Sequence, residues 1–309
     1  MEFDFLSPLD NEIVAFRNEL SSQQLGSKIV LHTSQDFPEV TKVSIGIIGV
    51  LENRGNSFGN QDIDLTAVRH ELYQLYPGNW DVSVADFGNI QAGNTIQDTY
   101  FALKKVAAQL IKNKVIPIVI GGGHNNAYPI IKTISEAANK AIDVINLDPH
   151  ADCRALEGRH SGNSFSYAKE NGYINHYSVL GLHKNYNSTF ILDYLEYNNF
   201  YYTFFDDYIL NPSQFDMDLT KTFLSISKER KFGIELDLDA IAFTPSSAFT
   251  PSGFNSLEAR KYIKTLSKHS NCCYLHLPEA APTNETEEKI TGKLIAYLVA
   301  DFIQENLTS

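Results

Sequence analysis

The sequence predicts an α/β fold with three layers, α/β/α, around a central, mainly parallel sheet. Short apolar runs rich in β-branched residues recur along the 309 residues, and stretches with helical periodicity lie between most of them. Continuous apolar runs are typical of strands buried on both faces. Alternation of strands and helices is typical of parallel strands joined by crossover helices. Polar groups that directly follow several runs predict a site at one edge of that sheet.

Seven apolar runs are the predicted strands. They occupy residues 43–50, 82–88, 115–123, 141–148, 177–182, 232–239 and 272–279. Between the second and third runs, residues 97–114 carry Phe101, Val106 and Leu110 at helical spacing, which predicts an amphipathic helix. The apolar stretch 294–303 predicts a packed C-terminal helix.

One domain is predicted, preceded by a short N-terminal extension. The chain has no internal repeat and no linker rich in Pro, Gly and Ser. Residues 1–42 are expected to pack as an extension on the domain, which residues 43–309 form. The Tyr/Phe-rich segment 194–208 interrupts the alternation, and we interpret it as core and loop packing.

Charge and composition argue against several classes of function. The formal net charge of −12 disfavours nucleic acid and anionic membranes, which bind basic patches, and is compatible with a cationic substrate. The N-terminus lacks the pattern of a secretory signal, and no apolar run is long enough to span a bilayer. Three cysteines form neither a disulfide framework nor a zinc knuckle. We therefore expect a cytoplasmic protein that binds a small molecule.

Three of the predicted strands end in, or lead directly into, groups that can bind a metal. These groups are His124 just after the third run, Asp148 at the end of the fourth with His150 and Asp152 beyond it, and Asp237 and Asp239 at the end of the sixth. Residues at i, i+2 and i+4 of an extended chain point to the same side. The carboxyl ends of parallel strands meet at one edge of a sheet, so the groups can converge on one point.

Such a cluster predicts two metal ions. Four carboxylates without compensation would repel one another and raise one another's pKa values. Two divalent ions neutralise them, and two neutral imidazoles complete the set. An oxygen and nitrogen shell without thiolate suits Mn²⁺, with Fe, Co or Zn as alternatives. The glycine run 121–123 is not the Gly-x-Gly-x-x-Gly of dinucleotide sites, which argues against that cofactor.

The order of these motifs resembles the ureohydrolase family, which includes arginase, agmatinase and formimidoylglutamase. The family's Gly-Gly-x-His, Asp-x-His-x-Asp and Asp-x-Asp motifs correspond to residues 121–124, 148–152 and 237–239. The resemblance extends from about residue 43 to the C-terminus. It implies that the motif residues hold two Mn²⁺ ions and that a bridging hydroxide attacks a guanidinium or amidine carbon. It also implies a homo-oligomer, either a trimer or a hexamer.

The resemblance also implies site residues beyond the metal ligands. Glu279 falls where the family has a glutamate near the cationic nitrogens of the substrate, to which a carboxylate offers charge-assisted hydrogen bonds. Asp152 or a neighbouring acid is expected to accept the proton of the nucleophile and pass it to the departing amine. Arginases have a proton-shuttling histidine where this chain has Ser161, and His160 is a candidate substitute.

Two features favour the formimidoylglutamase branch. Arg154 matches that branch's Asp-x-Arg, and residues 160–165 resemble its Ser-Gly-Thr-Pro-Phe, so Arg154 and Asn163 are predicted to bind substrate. Formimidoylglutamate has two carboxylates, and a guanidinium fork binds one well. The alternative for Arg154 is a structural salt bridge with Glu157. Departures from the family pattern stand at Asn125, Pro149, Phe243 and Glu235, the last at a position where many relatives have serine.

The residues and the resemblance together predict a metal-dependent hydrolase of linear C–N bonds. The favoured reaction converts N-formimidoyl-L-glutamate and water to L-glutamate and formamide, a step of histidine degradation. The nearest alternative is a hydrolase of arginine, agmatine or another guanidino compound. Two others are a deacetylase-like enzyme with a single zinc ion and a non-catalytic member that keeps the metals.

Overall fold

The computed structural model of the chain describes residues 3–57, 59, 63–78 and 83–307. Among these residues, ten strands form a single sheet. The strands are Leu6–Ser7 (β1), Val30–Leu31 (β2), Ile45–Val50 (β3), Val84–Ile90 (β4), Ile116–Ile120 (β5), Ile142–Leu147 (β6), Ile174–Leu182 (β7), Tyr201–Phe204 (β8), Phe232–Leu236 (β9) and Cys272–Leu277 (β10).

Eleven α-helices lie between or beside these strands in the described part of the chain. They are Asn11–Glu19 (α1), Leu25–Lys28 (α2), Thr66–Tyr73 (α3), Ile96–Lys112 (α4), Ala127–Ala138 (α5), Ser164–Glu170 (α6), Thr189–Tyr197 (α7), Phe205–Leu210 (α8), Ser213–Ser225 (α9), Ser256–Ser267 (α10) and Glu285–Leu307 (α11). None of the described helices is both long enough and apolar enough to cross a membrane.

The helices cover both faces of the sheet, which confirms the predicted three-layer α/β/α fold. One apolar core joins α3, α10 and α11 to one face of the sheet, and a second core joins α4, α5 and α6 to the other. Successive strand residues alternate between the two cores, so that Ile118 lies in the first and Val119 in the second. The strands are continuously apolar because both of their faces are buried.

The order of the strands brings the predicted ligand segments together. It is β1-β4-β3-β5-β10-β9-β6-β7-β8, with β2 also paired to β4. Every pairing among these strands is parallel except that of β1 with β4. Because β5, β10, β9 and β6 are neighbours, the segments that follow them leave the same edge of the sheet side by side.

The N-terminal extension takes part in the sheet. β1 is antiparallel to β4, with Leu6 opposite Ile90, and β2 is parallel to it, with Val30 opposite Ala85. Ile13 of α1 is buried in the core that contains α3. A strand of two residues is too short to show a periodic pattern in the sequence, and it forms here because it pairs with β4.

Helix α4 corresponds to the predicted helix 97–114. Val106 and Leu110 are buried as expected, but the side chain of Phe101 is exposed. The helix is therefore confirmed, but Phe101 does not belong to its buried face. The buried stripe of the helix passes through Leu103 instead, which lies three residues before Val106 on the same face.

Several predicted strand ends differ from the observed ones. The runs 115–123, 232–239 and 272–279 extend past the last strand residues, because the chain leaves the sheet where the site begins. The segment 194–208 contains β8 and the start of α8, so it supplies a strand as well as packing. Val82, at the start of the second predicted run, lies outside the described residues. The stretch 294–303 lies within α11 as predicted.

Candidate metal centre

Three of the central strands end in segments that carry the predicted ligands. His124 follows β5 after three glycines, Asp148 follows β6, and Asp237 follows β9. Gly121 and Gly122 have φ angles of +85° and +73°, which glycine adopts without steric cost. The glycine run is therefore a turn that brings His124 back over the edge of the sheet.

His124 lies at the centre of the deeper half of the site. Its Nδ1 is 2.9 Å from Oδ2 of Asp152, 3.0 Å from Oδ2 of Asp237 and 3.2 Å from Oδ2 of Asp148. An imidazole nitrogen carries at most one hydrogen, so it can satisfy only one of these carboxylates. Oδ2 of Asp152 is buried and has no hydrogen-bond partner among the described residues. A cation would satisfy this set of buried oxygen and nitrogen atoms, so the residues fit a metal ion.

His150 lies in the outer half of the site. Its Nδ1 is 3.5 Å from Oδ1 of Asp148 and 3.9 Å from Oδ2 of Asp239. The two oxygens of Asp148 therefore face different histidines, with Oδ2 toward His124 and Oδ1 toward His150. The arrangement suits two adjacent cation positions that share Asp148. The structure thus brings all six predicted metal ligands together.

Burial and mutual repulsion disfavour the charged form of several of these carboxylates. Burial and the charge of Asp148 raise the pKa of Asp152 to about 6. Burial and the charge of Glu279 raise the pKa of Asp239 to about 7. Burial and the charges of Asp239 and Asp148 raise the pKa of Asp237 well above its usual value. A divalent cation would remove this repulsion and favour the ionised ligands.

The histidines supply the compensating charge when the carboxylates have no other cation. Burial alone would lower the pKa of His150, but its hydrogen bond with Asp148 and the nearby acids raise it to about 10. Burial opposes the same change at His124, but the adjacent carboxylates of Asp148, Asp152 and Asp237 raise its pKa well above its usual value. Both imidazoles therefore hold protons that a metal ion would displace on binding.

Two site residues have an unusual backbone conformation. The φ angles of Asp152 and Glu279 are +48° and +70°, a region that residues with a side chain seldom adopt. Neighbouring backbone hydrogen bonds hold both residues there. The N–H of Phe165 donates to the carbonyl of Asp152 at 3.2 Å, and the N–H of Glu279 donates to the carbonyl of Gly122 at 2.9 Å. The surrounding fold thereby fixes the direction of both carboxylates.

Glu279, which follows β10, is buried at the wall of the cleft beside the ligands. The backbone N–H of His124 and the hydroxyl of Ser161 each donate to Oε1 at 2.5 Å, and the amide of Asn56 donates to Oε2 at 2.8 Å. A carboxylate can accept about four hydrogen bonds, so a position remains for a donor from a substrate. Sequence reasoning missed Ser161 and Asn56 as partners of Glu279, because they are distant from it in the chain.

The three predicted loop residues lie in different places. Arg154 and His160 line the cleft, whereas Asn163 does not. Asn163 is 1% exposed, and its amide donates to the carbonyls of Ala155 and Gly158 at 3.1 and 2.9 Å. Because both amide hydrogens serve the loop, Asn163 is placed to hold the loop in shape rather than to contact a substrate.

Arg154 and His160 have partners that bear on their predicted roles. Nη2 of Arg154 is 2.7 Å from Oε1 of Glu157, and its side chain is 56% exposed. An exposed ion pair contributes only about 0–1 kcal/mol, so a substrate carboxylate can replace Glu157 at little cost. Burial and the charge of Arg154 lower the pKa of His160, which is therefore a neutral imidazole at neutral pH. Its Nε2 lies 3.0 Å from the side-chain nitrogen of Asn163.

A second buried cluster adjoins His124, and sequence reasoning did not assign it to the site. Oε2 of Glu235 is 3.3 Å from Nε2 of His124 and 2.6 Å from Nδ1 of His276. Glu235 and His276 are directly paired across β9 and β10. The available signal was that Glu235 precedes Asp237 by two residues in a strand, so that both side chains point to the same side.

Comparisons with known proteins find related chains. A model of the arginase family matches residues 44–304. A formimidoylglutamase of Staphylococcus aureus is 26% identical over 283 residues, which cover 88% of this chain and 91% of that protein.

Two solved structures have the same fold. The formimidoylglutamase of Bacillus subtilis superimposes with a TM-score of 0.74 at 17% identity, covering 88% of this chain and 93% of that one. A Trypanosoma cruzi formiminoglutamase with Mn²⁺ superimposes with a TM-score of 0.76 at 19% identity, covering 88% of this chain and 99% of that one. At these identities the structural likeness establishes the fold alone.

Proposed function

Because the chain belongs to the arginase family, we propose that it is a binuclear metal-dependent hydrolase of linear amidine C–N bonds, with N-formimidoyl-L-glutamate as its substrate. The observation that carries this proposal is the convergence of His124, His150 and four aspartates beside Glu279. The reaction would add water across the formimidoyl carbon and release L-glutamate and formamide. The match to a formimidoylglutamase over most of both chains supports this choice of substrate.

We assign two divalent ions, most simply Mn²⁺, to the two halves of the site. The inner ion would be held by His124, Asp148, Asp152 and Asp237. The outer ion would be held by His150, Asp148 and Asp239. Their oxygen and nitrogen donors suit Mn²⁺ and also Fe, Co or Zn. When bound, such a pair of ions supplies Lewis-acid activation of water at neutral pH.

The residues of the chain then have separate tasks. Glu279, held by Asn56 and Ser161, accepts hydrogen bonds from the cationic amidinium and orients it. Asp152 lies beside His124, and we assign to the carboxylate oxygen that does not hold the ion the task of accepting a proton and delivering it to the departing amine. Arg154 lies in the cleft wall, where its guanidinium can bind a carboxylate of the substrate.

The salt bridge between Arg154 and Glu157 favours one alternative. If that pair is purely structural, Arg154 does not bind a second substrate carboxylate and the preference for a dicarboxylate is lost, so arginine, agmatine or another guanidino compound becomes the alternative substrate. The two metal positions and Glu279 would serve that reaction equally, because a guanidinium is also a planar cation. The cytoplasmic location and the homo-oligomeric state stay predictions.

The test is a substrate panel assayed with added Mn²⁺. Formimidoylglutamate, arginine and agmatine would be compared by release of formamide or urea, with metal-free enzyme and Glu279→Gln as controls. We expect formamide release from formimidoylglutamate to be the fastest reaction, and Glu279→Gln to retain its metal while losing turnover. Faster release of urea would shift the proposal to a guanidino substrate. Protein that binds two ions and turns over none of these compounds would make the chain a non-catalytic member.

A further inference from the structure

Glu235 occupies an unusual position beneath the metal site. It lies in β9, is fully buried, and projects its carboxylate among His124, His276 and Tyr274. The Tyr274 hydroxyl is 2.7 Å from Oε1, and Nδ1 of His276 is 2.6 Å from Oε2. A buried carboxylate is costly unless its oxygens are satisfied, so a role beyond packing is expected of it.

The partners of Glu235 fix the direction of the hydrogen bonds. Burial raises the pKa of Tyr274 well above its usual value, so its hydroxyl keeps its proton and donates to Glu235. An ionised carboxylate only accepts hydrogen bonds, so Nδ1 of His276 must carry a hydrogen as well. Both partners therefore hold Glu235 as an acceptor, with Oε2 beside His124.

The geometry at His124 requires an acceptor on this side of the ring. Its Nδ1 faces the three aspartates at 2.9–3.2 Å, so a metal ion would bind that nitrogen. A neutral imidazole that binds metal through Nδ1 carries its hydrogen on Nε2. Nε2 is buried and makes no well-aligned hydrogen bond within the described residues, and Oε2 of Glu235 lies 3.3 Å from it.

We propose that Glu235 is a positioning residue for metal binding: it accepts the Nε2 hydrogen of His124 and so keeps Nδ1 free and directed at the inner metal position. The inference rests on the proposed two-metal function. Carboxylates that accept a hydrogen bond from a ligating histidine orient the ring and strengthen it as a ligand.

The effect should be confined to one of the two metal positions. Glu235 adjoins His124, and no contact between Glu235 and either His150 or Asp239 is found in the described part of the chain. Weakening the orientation of His124 should therefore lower the affinity of the inner ion more than that of the outer ion. A purely structural role, in which Glu235 only links β9 to β10 through His276, would lower the stability of the metal-free protein without this selectivity.

The experiment is a calorimetric titration of metal-free protein with Mn²⁺, comparing wild type, Glu235→Gln and Asp301→Asn. Asp301 is a matched control, because it is also a buried acid, and it pairs with Arg260 at 2.6 Å on another face of the fold. Glu235→Gln should weaken one of two binding steps by about 10–100-fold, the usual effect of removing such a carboxylate, while Asp301→Asn leaves both steps unchanged. The melting temperature of each metal-free protein is measured in parallel.

Each outcome decides a distinct question. Two unchanged binding steps in Glu235→Gln, or an equal loss in Asp301→Asn, would overturn the role of Glu235. If Glu235→Gln does not fold, Tyr274→Phe removes one hydroxyl that holds the carboxylate, and it should weaken the same step to a smaller extent. Unchanged binding in that variant would also overturn the inference. Wild-type protein that binds no Mn²⁺ would instead contradict the proposed function.

Discussion

The two halves of the cleft are built in different ways. The predicted metal ligands His124, Asp148 and Asp237 lie within a few residues of the ends of central strands and are buried, so the ladders of the sheet fix their positions. The candidate substrate residues Arg154 and His160 lie on the loop between Asp152 and α6, and the side chain of Arg154 is half exposed. We call the first group, which the core anchors, the metal half of the cleft. The second group, which a few hydrogen bonds within the loop hold in place, is the loop half.

This difference indicates which part of the cleft serves the reaction and which part serves substrate specificity. Strand ends in a close-packed sheet hold their groups at fixed distances, as two adjacent metal ions require. A loop can change its side chains without disturbing the core, so it is the part that can adapt to different substrates. Substitutions in the metal half should therefore affect every substrate, and substitutions in the loop should affect substrates unequally.

Asp237→Asn should lower turnover more than any other substitution considered, because it removes a ligand from the metal half. It removes a ligand beside His124, and since a bound metal contributes several kcal/mol, turnover should fall by about a thousandfold or more on every substrate. The metal-free variant should be at least as stable as wild type, because burial and the charges of Asp239 and Asp148 disfavour an ionised Asp237. Turnover, metal content and melting temperature measure these effects. Wild-type turnover with two bound ions would remove Asp237 from the metal half.

Arg154→Ala should have a smaller effect that depends on the substrate. Losing one charge-assisted hydrogen bond costs about 1.5–3 kcal/mol, so kcat/KM on formimidoylglutamate should fall roughly ten- to a hundredfold with metal content unchanged. Glu157→Ala is the matched control, because it removes the salt bridge and leaves the guanidinium in place. Equal losses in the two variants would assign Arg154 a structural role in the loop, as would unaltered kinetics in Arg154→Ala.

Ser161→Ala tests the contact between the loop half and Glu279, which follows β10. The Ser161 hydroxyl donates to Oε1 of Glu279, which keeps its bonds to Asn56 and to the backbone of His124. Loss of one of three donors should lower kcat/KM by about tenfold, with Mn²⁺ affinity unchanged. Asn163→Ala, by comparison, should chiefly lower the melting temperature. A Ser161→Ala enzyme with wild-type kcat/KM would show that Glu279 does not need this contact.

The smallest expected effect is on the pH dependence of the stability of the metal-free protein. It should arise from the titratable groups of the metal half. The folded pKa values of Asp152 and Asp239, about 6 and about 7, exceed the ordinary value of 3.8, so the folded state binds extra protons. Their contribution to stability is present below pH 3.8 and is lost as the pH rises through about 7. His150, with a folded pKa of about 10 against 6.5, acts in the same direction over a higher range.

Binding of Mn²⁺ should compensate for the stability that the metal-free protein loses as the pH rises. The increase in melting temperature on adding Mn²⁺ should therefore grow from pH 5 to pH 8, and scanning fluorimetry with and without the metal measures it. Asp301→Asn should show the same trend as wild type, because Asp301 lies outside the cluster. An increase that does not vary with pH would contradict the assignment of the raised pKa values to the metal half.

The sequence predicted most of the metal half of the cleft and less of the loop half. The apolar runs before His124, Asp148 and Asp237 identify strands, and each ligand follows its strand within a few residues, so a local pattern was sufficient. Asn163 lies in the segment 160–165, which resembles a formimidoylglutamase motif, but the sequence does not show that the loop carbonyls engage its amide. Phe101 fits a helical period and is nevertheless exposed, because the direction of the buried stripe depends on the neighbouring layer.

Residue periodicity and the order of motifs determine which segments are strands, which groups follow them, and hence the three layers and the six candidate ligands. The neighbours of those groups come from the packing of distant segments: the adjacency of β5, β10, β9 and β6, the pairing of Glu235 with His276, and the bonds from Asn56 and Ser161 to Glu279. The physical reason is that side-chain direction along a strand repeats every two residues and is local. Contacts across a sheet join residues far apart in the chain, and the free energy of the whole packed core selects them.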